Sequence, residues 1–174
     1  CDRMYFTFEN ANRIDFAREQ IELWKNNKSI TDEEYFYLLA GLIEGVPYVS
    51  NTTGTYGAYL KDWDKRAFKK FEFSFLNIID NKRKNQCFNE NANELIKHIE
   101  GDILYIDPPY NERQYLPNYH ILETIAKNDN PKIKGITGIR PYLKEKSKYC
   151  SKSEVEKNFR DLVSNAKFKH IIVS

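Results

Sequence analysis

Ile103-Leu104-Tyr105-Ile106-Asp107-Pro108-Pro109-Tyr110 is the stretch on which the fold turns. Four apolar residues in a row, stopped by a proline pair, spell a buried strand of a parallel sheet. Upstream, residues 92–100 put Leu95, Ile96 and Ile99 on one side of a helix, with Gly101 as its C′ residue. Gln86-Cys87-Phe88 reads as a short strand before that helix. Strand–helix–strand is the unit of a parallel α/β sheet. Ligands of such open sheets bind at the carboxyl ends of the strands, which is where Asp107 to Tyr110 stand.

Working outward, Ile14, Ala17, Ile21 and Trp24 recur at helical spacing and predict a helix over residues 9–26. Thr31 with Glu34 is a capping box opening a second helix that carries Tyr35, Leu38, Leu39 and Leu42 and ends near Gly45. Asn51 to Gly57 is a loop of small and polar residues, and residues 77–86 are polar and linker-like. Past the proline pair, Ile121, Leu122, Ile125 and Ala126 belong to a helix. Residues 128–152 have no periodicity and form a long loop, a feature that is usually functional or disordered. Ser153 with Glu156 caps a last helix (Val155, Phe159, Leu162, Val163), and residues 168–174 are a closing strand. The chain divides into a mostly helical region, 1–85, and an α/β half, 86–174.

At 174 residues, 41% hydrophobic and 14% aromatic, the chain suits one domain with a core that needs no staples. No apolar run approaches a membrane span, and the three cysteines (Cys1, Cys87, Cys150) lack metal-ligand spacing and read as free thiols of a reducing cytosol. His98 and His170 likewise show no metal pattern. Net charge is only +2, but Lys61, Lys65, Arg66, Lys69 and Lys70 cluster against Asp62 and Asp64. Seven Lys or Arg fall between Lys132 and Lys152 with Glu145 the lone acid. Basic residues with interleaved aromatics (Tyr59, Trp63, Phe68) suit a phosphate backbone. Taken alone, either stretch reads more readily as a solvated lysine-rich face.

An aspartate, two prolines and an aromatic ring at a strand end can activate the exocyclic amine of a nucleobase. Asp107 and the Pro108 carbonyl can accept both N–H bonds, so the lone pair becomes available to an electrophilic methyl group. Proline fixes φ and holds the preceding residue extended, which aims those carbonyls with no competing donor. Tyr110 offers a face for the base to stack on. A paired base reaches such a pocket only by flipping out of the duplex. The same tetrapeptide can also be a plain strand stop with a turn.

Longer strings carry a resemblance: Tyr5-Phe6-Thr7, Glu9-Asn10-Ala11, the run Gly54 to Ala67, the run Asp102 to Tyr115, Asn118 to Ile125, and Lys146-Ser147-Lys148-Tyr149-Cys150-Ser151-Lys152. Over nearly the whole chain these resemble the Dam-type (D12 class) N6-adenine DNA methyltransferases, in the FokI-like branch of type IIS modification enzymes. The resemblance implies a class I S-adenosylmethionine-dependent, Rossmann-like α/β fold with an incomplete sheet and a helical DNA-binding insertion. It implies S-adenosylmethionine as methyl donor and double-stranded DNA as substrate, within a restriction–modification system that has a cognate endonuclease, in a bacterial cytoplasm. Asp107, Pro108, Pro109 and Tyr110 are then the catalytic set, and Asn91 with Asp107 the cofactor contacts; family members often carry Asp near position 91. Tyr59, Lys61, Lys65, Arg66, Arg113, Gln114, Asn118 and Tyr119 are the candidate DNA contacts. Family members also have a Phe-x-Gly-x-Gly loop, and no Gly-x-Gly occurs here, so the chain is expected to be the central and C-terminal part of such a domain. Two alternatives stay open: a cytosine-N4 methyltransferase, and a catalytically silent DNA-binding fragment that needs a partner.

Overall fold

The computed structural model describes residues 3–109 and 111–174. Its regular elements are α1 (Phe8–Asn26), α2 (Asp32–Gly45), a one-turn α3 (Ala92–Leu95), β1 (Glu100–Ile106), α4 (Tyr115–Lys127), α5 (Val155–Asn165) and β2 (Lys167–Val173). They group into two compact units: Cys1–Ile79 with Tyr115–Tyr142, and Asp80–Gln114 with Leu143–Ser174. The expected division near residue 85 placed everything downstream in one half, whereas α4 and the loop after it belong with the first unit. Their apolar side explains this, because Ile121, Leu122 and Ile125 pack on the first core.

The first unit is built on α1, α2 and α4. Thr7 caps α1, its hydroxyl accepting from the Asn10 N–H at 3.3 Å. The Thr31–Glu34 capping box forms in both directions, at 3.2 Å and 2.7 Å. Ile14, Ile21, Leu42, Val46, Val49, Tyr5, Tyr56 and Phe71 make the core. Trp24 and Trp63 are each more than a third exposed. Two asparagines organise the irregular chain from residue 50 to 71. The Asn51 amide donates to the carbonyls of Met4 (2.9 Å) and Leu60 (3.1 Å), while its oxygen accepts from the Asp64 N–H at 2.8 Å. Asn10 donates to the Ala67 and Lys69 carbonyls and accepts from the Phe71 N–H. Buried backbone without a ladder needs such partners.

In the second unit β1 and β2 pair in parallel, Leu104 opposite Ile171 and Ile106 opposite Val173. Ile96, Ile106 and Leu162 form its core, with Leu104, Ile99, Phe159 and Phe168 packed on it. Several expectations are corrected here. The apolar run of β1 is not buried on both faces: Ile103 and Tyr105 are about 60% exposed, at 61% and 62%. Alternate residues of a strand point to opposite faces, and α3 and α5 bring cover to the Leu104 side. The helix expected over 92–100 is one turn long, because Glu100 already pairs with Lys167 in the sheet. Gly101 is therefore a strand residue and not a helix stop; a Cβ there would lie 3.0 Å from the Phe168 ring. Gln86-Cys87-Phe88 pairs with no strand among the described residues. The Ser153–Glu156 box does not form: α5 starts at Val155 after Glu154, without a side-chain cap, and the Ser153 hydroxyl pairs with Ser151 at 3.1 Å.

No helix is long and apolar enough to cross a membrane, and no group of three or more potential metal ligands occurs among the described residues. Cys87 and Cys150 are unpaired thiols, exposed and buried respectively.

Candidate active site

The second unit carries a pocket of about 290 Å³ at the carboxyl end of β1. Ile106, Asp107, Pro108 and Pro109 bring the strand end to it, Ala92, Ile96 and Ile99 close it from the α3 side, and Tyr149 and Leu162 complete the lining. The walls are apolar and Asp107 is the charged group among them. Such a site, mostly apolar with a few placed polar groups, is the usual form of a small-ligand pocket. Its volume falls at the lower end of that range, which suits one flat ring system rather than a large ligand taken whole.

The parallel register decides what stands beside Asp107. Ile106 pairs with Val173, so Asp107 and Ser174 leave the sheet side by side. The Ser174 N–H donates to the Ile106 carbonyl at 3.1 Å and the Ser174 hydroxyl donates to Asp107 Oδ1 at 3.0 Å. Tyr110, expected to stack the base, lies outside the described residues.

The other predicted residues divide by unit. Asn91, expected at the cofactor, caps α3: its side chain accepts from the Asn93 N–H at 2.9 Å. Ala92, its neighbour, lines the pocket instead. Arg113 is exposed, and its N–H donates to Asn111 Oδ1 in an Asx turn. The Gln114 amide is committed to backbone: it accepts from the Ser147 N–H at 2.7 Å and donates to the Ser147 carbonyl at 3.1 Å.

In the first unit Lys61 and Lys65 are exposed beside a half-buried Arg66. The Arg66 guanidinium donates to the carbonyls of Ser50 (3.2 Å) and Thr52 (2.5 Å), tying down the loop that precedes the basic stretch. Tyr59 packs edge-on against Tyr5, ring centres 5.1 Å apart. Asn118 turns its carbonyl to the Tyr56 N–H at 2.6 Å, and the next residue, Tyr119, leaves helical geometry at φ −124°. That kink stacks Tyr119 on Tyr115, with centroids 6.3 Å apart.

His120 is fully buried, and Nε2–H donates to the Tyr56 carbonyl at 2.8 Å. Burial lowers its pKa, against the opposing effect of that hydrogen bond. Burial also raises the Tyr5 hydroxyl to about 12, helped by nearby Tyr59. Its oxygen lies 2.8 Å from the Tyr56 carbonyl and 3.1 Å from that of Thr137. Tyr56 itself is buried, away from any solvent-side ligand.

Sequence reasoning missed Ser174, Asn93, Asn10 and Asn51. A polar residue amid helix or loop residues gives no local sign of the distant carbonyl that it will meet.

The profile of the family described as D12 class N6 adenine-specific DNA methyltransferase matches residues 2–174. The type II methyltransferase M.FokI of Planomicrobium okeanokoites is 58% identical over all of this chain, which spans 27% of that protein. Modification methylase StsI of Streptococcus sanguinis is 50% identical over 98% of the chain and 26% of its own length. The type II methyltransferase M.NlaIII of Neisseria lactamica is 46% identical over 99% of the chain and 51% of its own length. The chain thus spans between about a quarter and a half of these relatives. No solved structure matches it.

Proposed function

This chain belongs to the family of D12 class N6 adenine-specific DNA methyltransferases, and on that premise we propose that it supplies the amine-activating part of a site-specific enzyme. The reaction is methyl transfer from S-adenosylmethionine to N6 of an adenine flipped out of double-stranded DNA. The enzyme modifies host sites within a restriction–modification system, against a cognate endonuclease. The observation that carries this reading is the Asp107 carboxylate, held by Ser174 at the rim of an apolar pocket walled by Pro108 and Pro109.

The amino group of adenine is a poor nucleophile because its lone pair is delocalised into the ring. Asp107 accepts one N6–H and the Pro108 carbonyl accepts the other, which draws the nitrogen toward tetrahedral geometry and frees the pair. The prolines supply no N–H that would compete for those acceptors. Ser174, by donating to Oδ1, restricts the rotation of the carboxylate and so keeps it aimed. Positioning of this kind contributes much of the rate in a direct displacement. S-adenosylmethionine, when bound, supplies an electrophilic methyl group. Once N6 carries that methyl its proton is acidic, and Asp107 passes it to water without having to be a strong base.

The pocket, largely apolar and about 290 Å³, suits the ring end of S-adenosylmethionine or a flipped base. The parallel β1–β2 pair with α3 and α5 on one face is the part of a class I methyltransferase sheet that this chain contributes. Tyr110 is the proposed stacking ring of the catalytic set, and Asn91, whose side chain caps α3 next to pocket-lining Ala92, is the proposed cofactor neighbour. In the first unit, exposed Lys61 and Lys65 with Tyr59, Asn118 and Tyr119 are the proposed DNA contacts, Arg66 holding the loop beside them; in the second unit exposed Arg113 is one, Gln114 being bonded to Ser147.

The test is incubation of the full-length gene product with methyl-labelled S-adenosylmethionine and duplex DNA, followed by nucleoside analysis. N6-methyladenine is expected, and its loss in Asp107→Ala with DNA binding retained assigns the role. Label in N4-methylcytosine, or turnover unchanged in Asp107→Ala, overturns the reading.

A further inference from the structure

The segment Lys146 to Lys152 takes no part in the chemistry above, yet it is fastened to the loop that follows the proline pair. The Ser147 backbone exchanges two hydrogen bonds with the Gln114 amide, at 2.7 Å and 3.1 Å. The thiol of buried Cys150 donates to the Arg113 carbonyl at 3.4 Å. Tyr149 sits between these anchors and lines the pocket beside Pro108 and Pro109. Its hydroxyl donates at 2.7 Å to Oδ1 of Asn93, a residue only 8% exposed. Asn93 in turn donates to the Asn158 carbonyl at 2.8 Å and to Asp161 Oδ2 at 2.6 Å, both on α5.

A ring needed only for folding would be enclosed by its neighbours. This one is held at its hydroxyl end while the pocket leaves about 290 Å³ open beside its body. A side chain immobilised before binding loses little rotamer freedom when a ligand arrives, which is the economy of preorganised sites. Aromatic side chains are also the usual platforms for nucleobases. We propose that Tyr149 is a binding residue of this pocket, its anchored ring forming the wall against which an adenine ring packs. The proposal rests on the methyltransferase reading, in which adenine arrives from two sources: the adenosyl group of the methyl donor and the flipped target base. Both present the same flat purine, so the proposal names that ring.

The experiment uses the full-length gene product and the variants Tyr149→Ala and Tyr149→Phe, with two binding arms. One is calorimetric titration with S-adenosylhomocysteine. The other is fluorescence of 2-aminopurine placed at the methylated position of a duplex, which reports base flipping. Tyr149→Ala is expected to weaken one arm by roughly tenfold or more. Loss with S-adenosylhomocysteine puts the donor's adenine at Tyr149, and loss in the fluorescence arm puts the target base there. Tyr149→Phe keeps the ring and loses only the bond to Asn93, so it should bind within about threefold of wild type while melting at a lower temperature.

Wild-type binding by Tyr149→Ala in both arms overturns the proposal. Equal losses in Ala and Phe, tracking their melting temperatures, overturn it too, since they show a purely structural residue. Tyr149→Leu, which keeps apolar volume without a flat ring, replaces Ala if that variant does not fold. Wild-type protein that neither binds S-adenosylhomocysteine nor methylates DNA would count against the methyltransferase reading itself, a different result from any of these.

Discussion

Replacing Asn93 by alanine removes three hydrogen bonds at once from the second unit. These are to the Asn158 carbonyl, to the Asp161 carboxylate and from the Tyr149 hydroxyl, at 2.8, 2.6 and 2.7 Å. Two neutral bonds at about 1 kcal/mol and one to a charged acceptor at about 2 kcal/mol give a gross loss near 4 kcal/mol. Asp161 is exposed and can take water instead, which cancels most of its share. The helix cap survives, because the backbone N–H of residue 93 still meets Asn91 Oδ1. Alanine also favours the helix over asparagine by roughly 0.6 kcal/mol. The net cost is about 2 kcal/mol, or roughly a 30-fold increase in the opening equilibrium. Hydrogen exchange resolves this within a longer protein, since each peptide reports its own opening. Amides of residues 92–99 and 148–165 should exchange roughly 30-fold faster in Asn93→Ala, with α1 and α2 unchanged. Exchange within about threefold of wild type in those peptides would refute the hydrogen-bond accounting.

Four further outcomes are expected of the full-length gene product. Ser174→Ala should lower kcat by about threefold to tenfold, the worth of one hydrogen bond to a carboxylate near solvent, while S-adenosylhomocysteine affinity holds; an unchanged kcat removes Ser174 from the site. Lys65→Ala should reduce the slope of log K for DNA against log salt by about one, as for one lost phosphate contact. Arg66→Ala should chiefly speed hydrogen exchange over residues 50–64, because its guanidinium is bonded to Ser50 and Thr52; the reverse pattern would reassign the two. His120 has a folded pKa lowered by burial from 6.5, with Arg140 and Arg3 adding repulsion. The unfolded state therefore binds the proton more readily, so stability is full above 6.5 and declines as pH falls from there toward the lowered folded value. His120→Gln should flatten the fall in melting temperature between about pH 7 and pH 5, and an unaltered fall would place the acid sensitivity elsewhere.

Elements with a local signature were legible without coordinates. The Thr31–Glu34 box, the apolar stripe of α1 and the apolar parts of the two strands, residues 103–106 and 168–173, all rest on neighbours in the chain. Readings failed where two local signals competed with a distant one. Gly101 reads as a helix stop by position, but strand pairing starting at Glu100 and the ring of Phe168 claim it instead. Ser153 and Glu156 have capping-box spacing, yet Ser153 pairs with Ser151 and the box is lost. Gln114, a candidate DNA contact in the family resemblance, spends both ends of its side chain on Ser147, thirty-three positions away.

From sequence alone came the proposal that Asp107-Pro108-Pro109-Tyr110 activates an amine at a strand end, since backbone restriction by proline and the acceptor character of a carboxylate are properties of the residues themselves. The tertiary structure alone decided what stands around that motif. Parallel pairing sets Ser174 beside Asp107, and side-chain bonds from residues far along the chain hold Tyr149 at the pocket wall. Sequence spacing carries the identity of a reacting group, but its orientation depends on hydrogen bonds between segments that meet only when the chain folds.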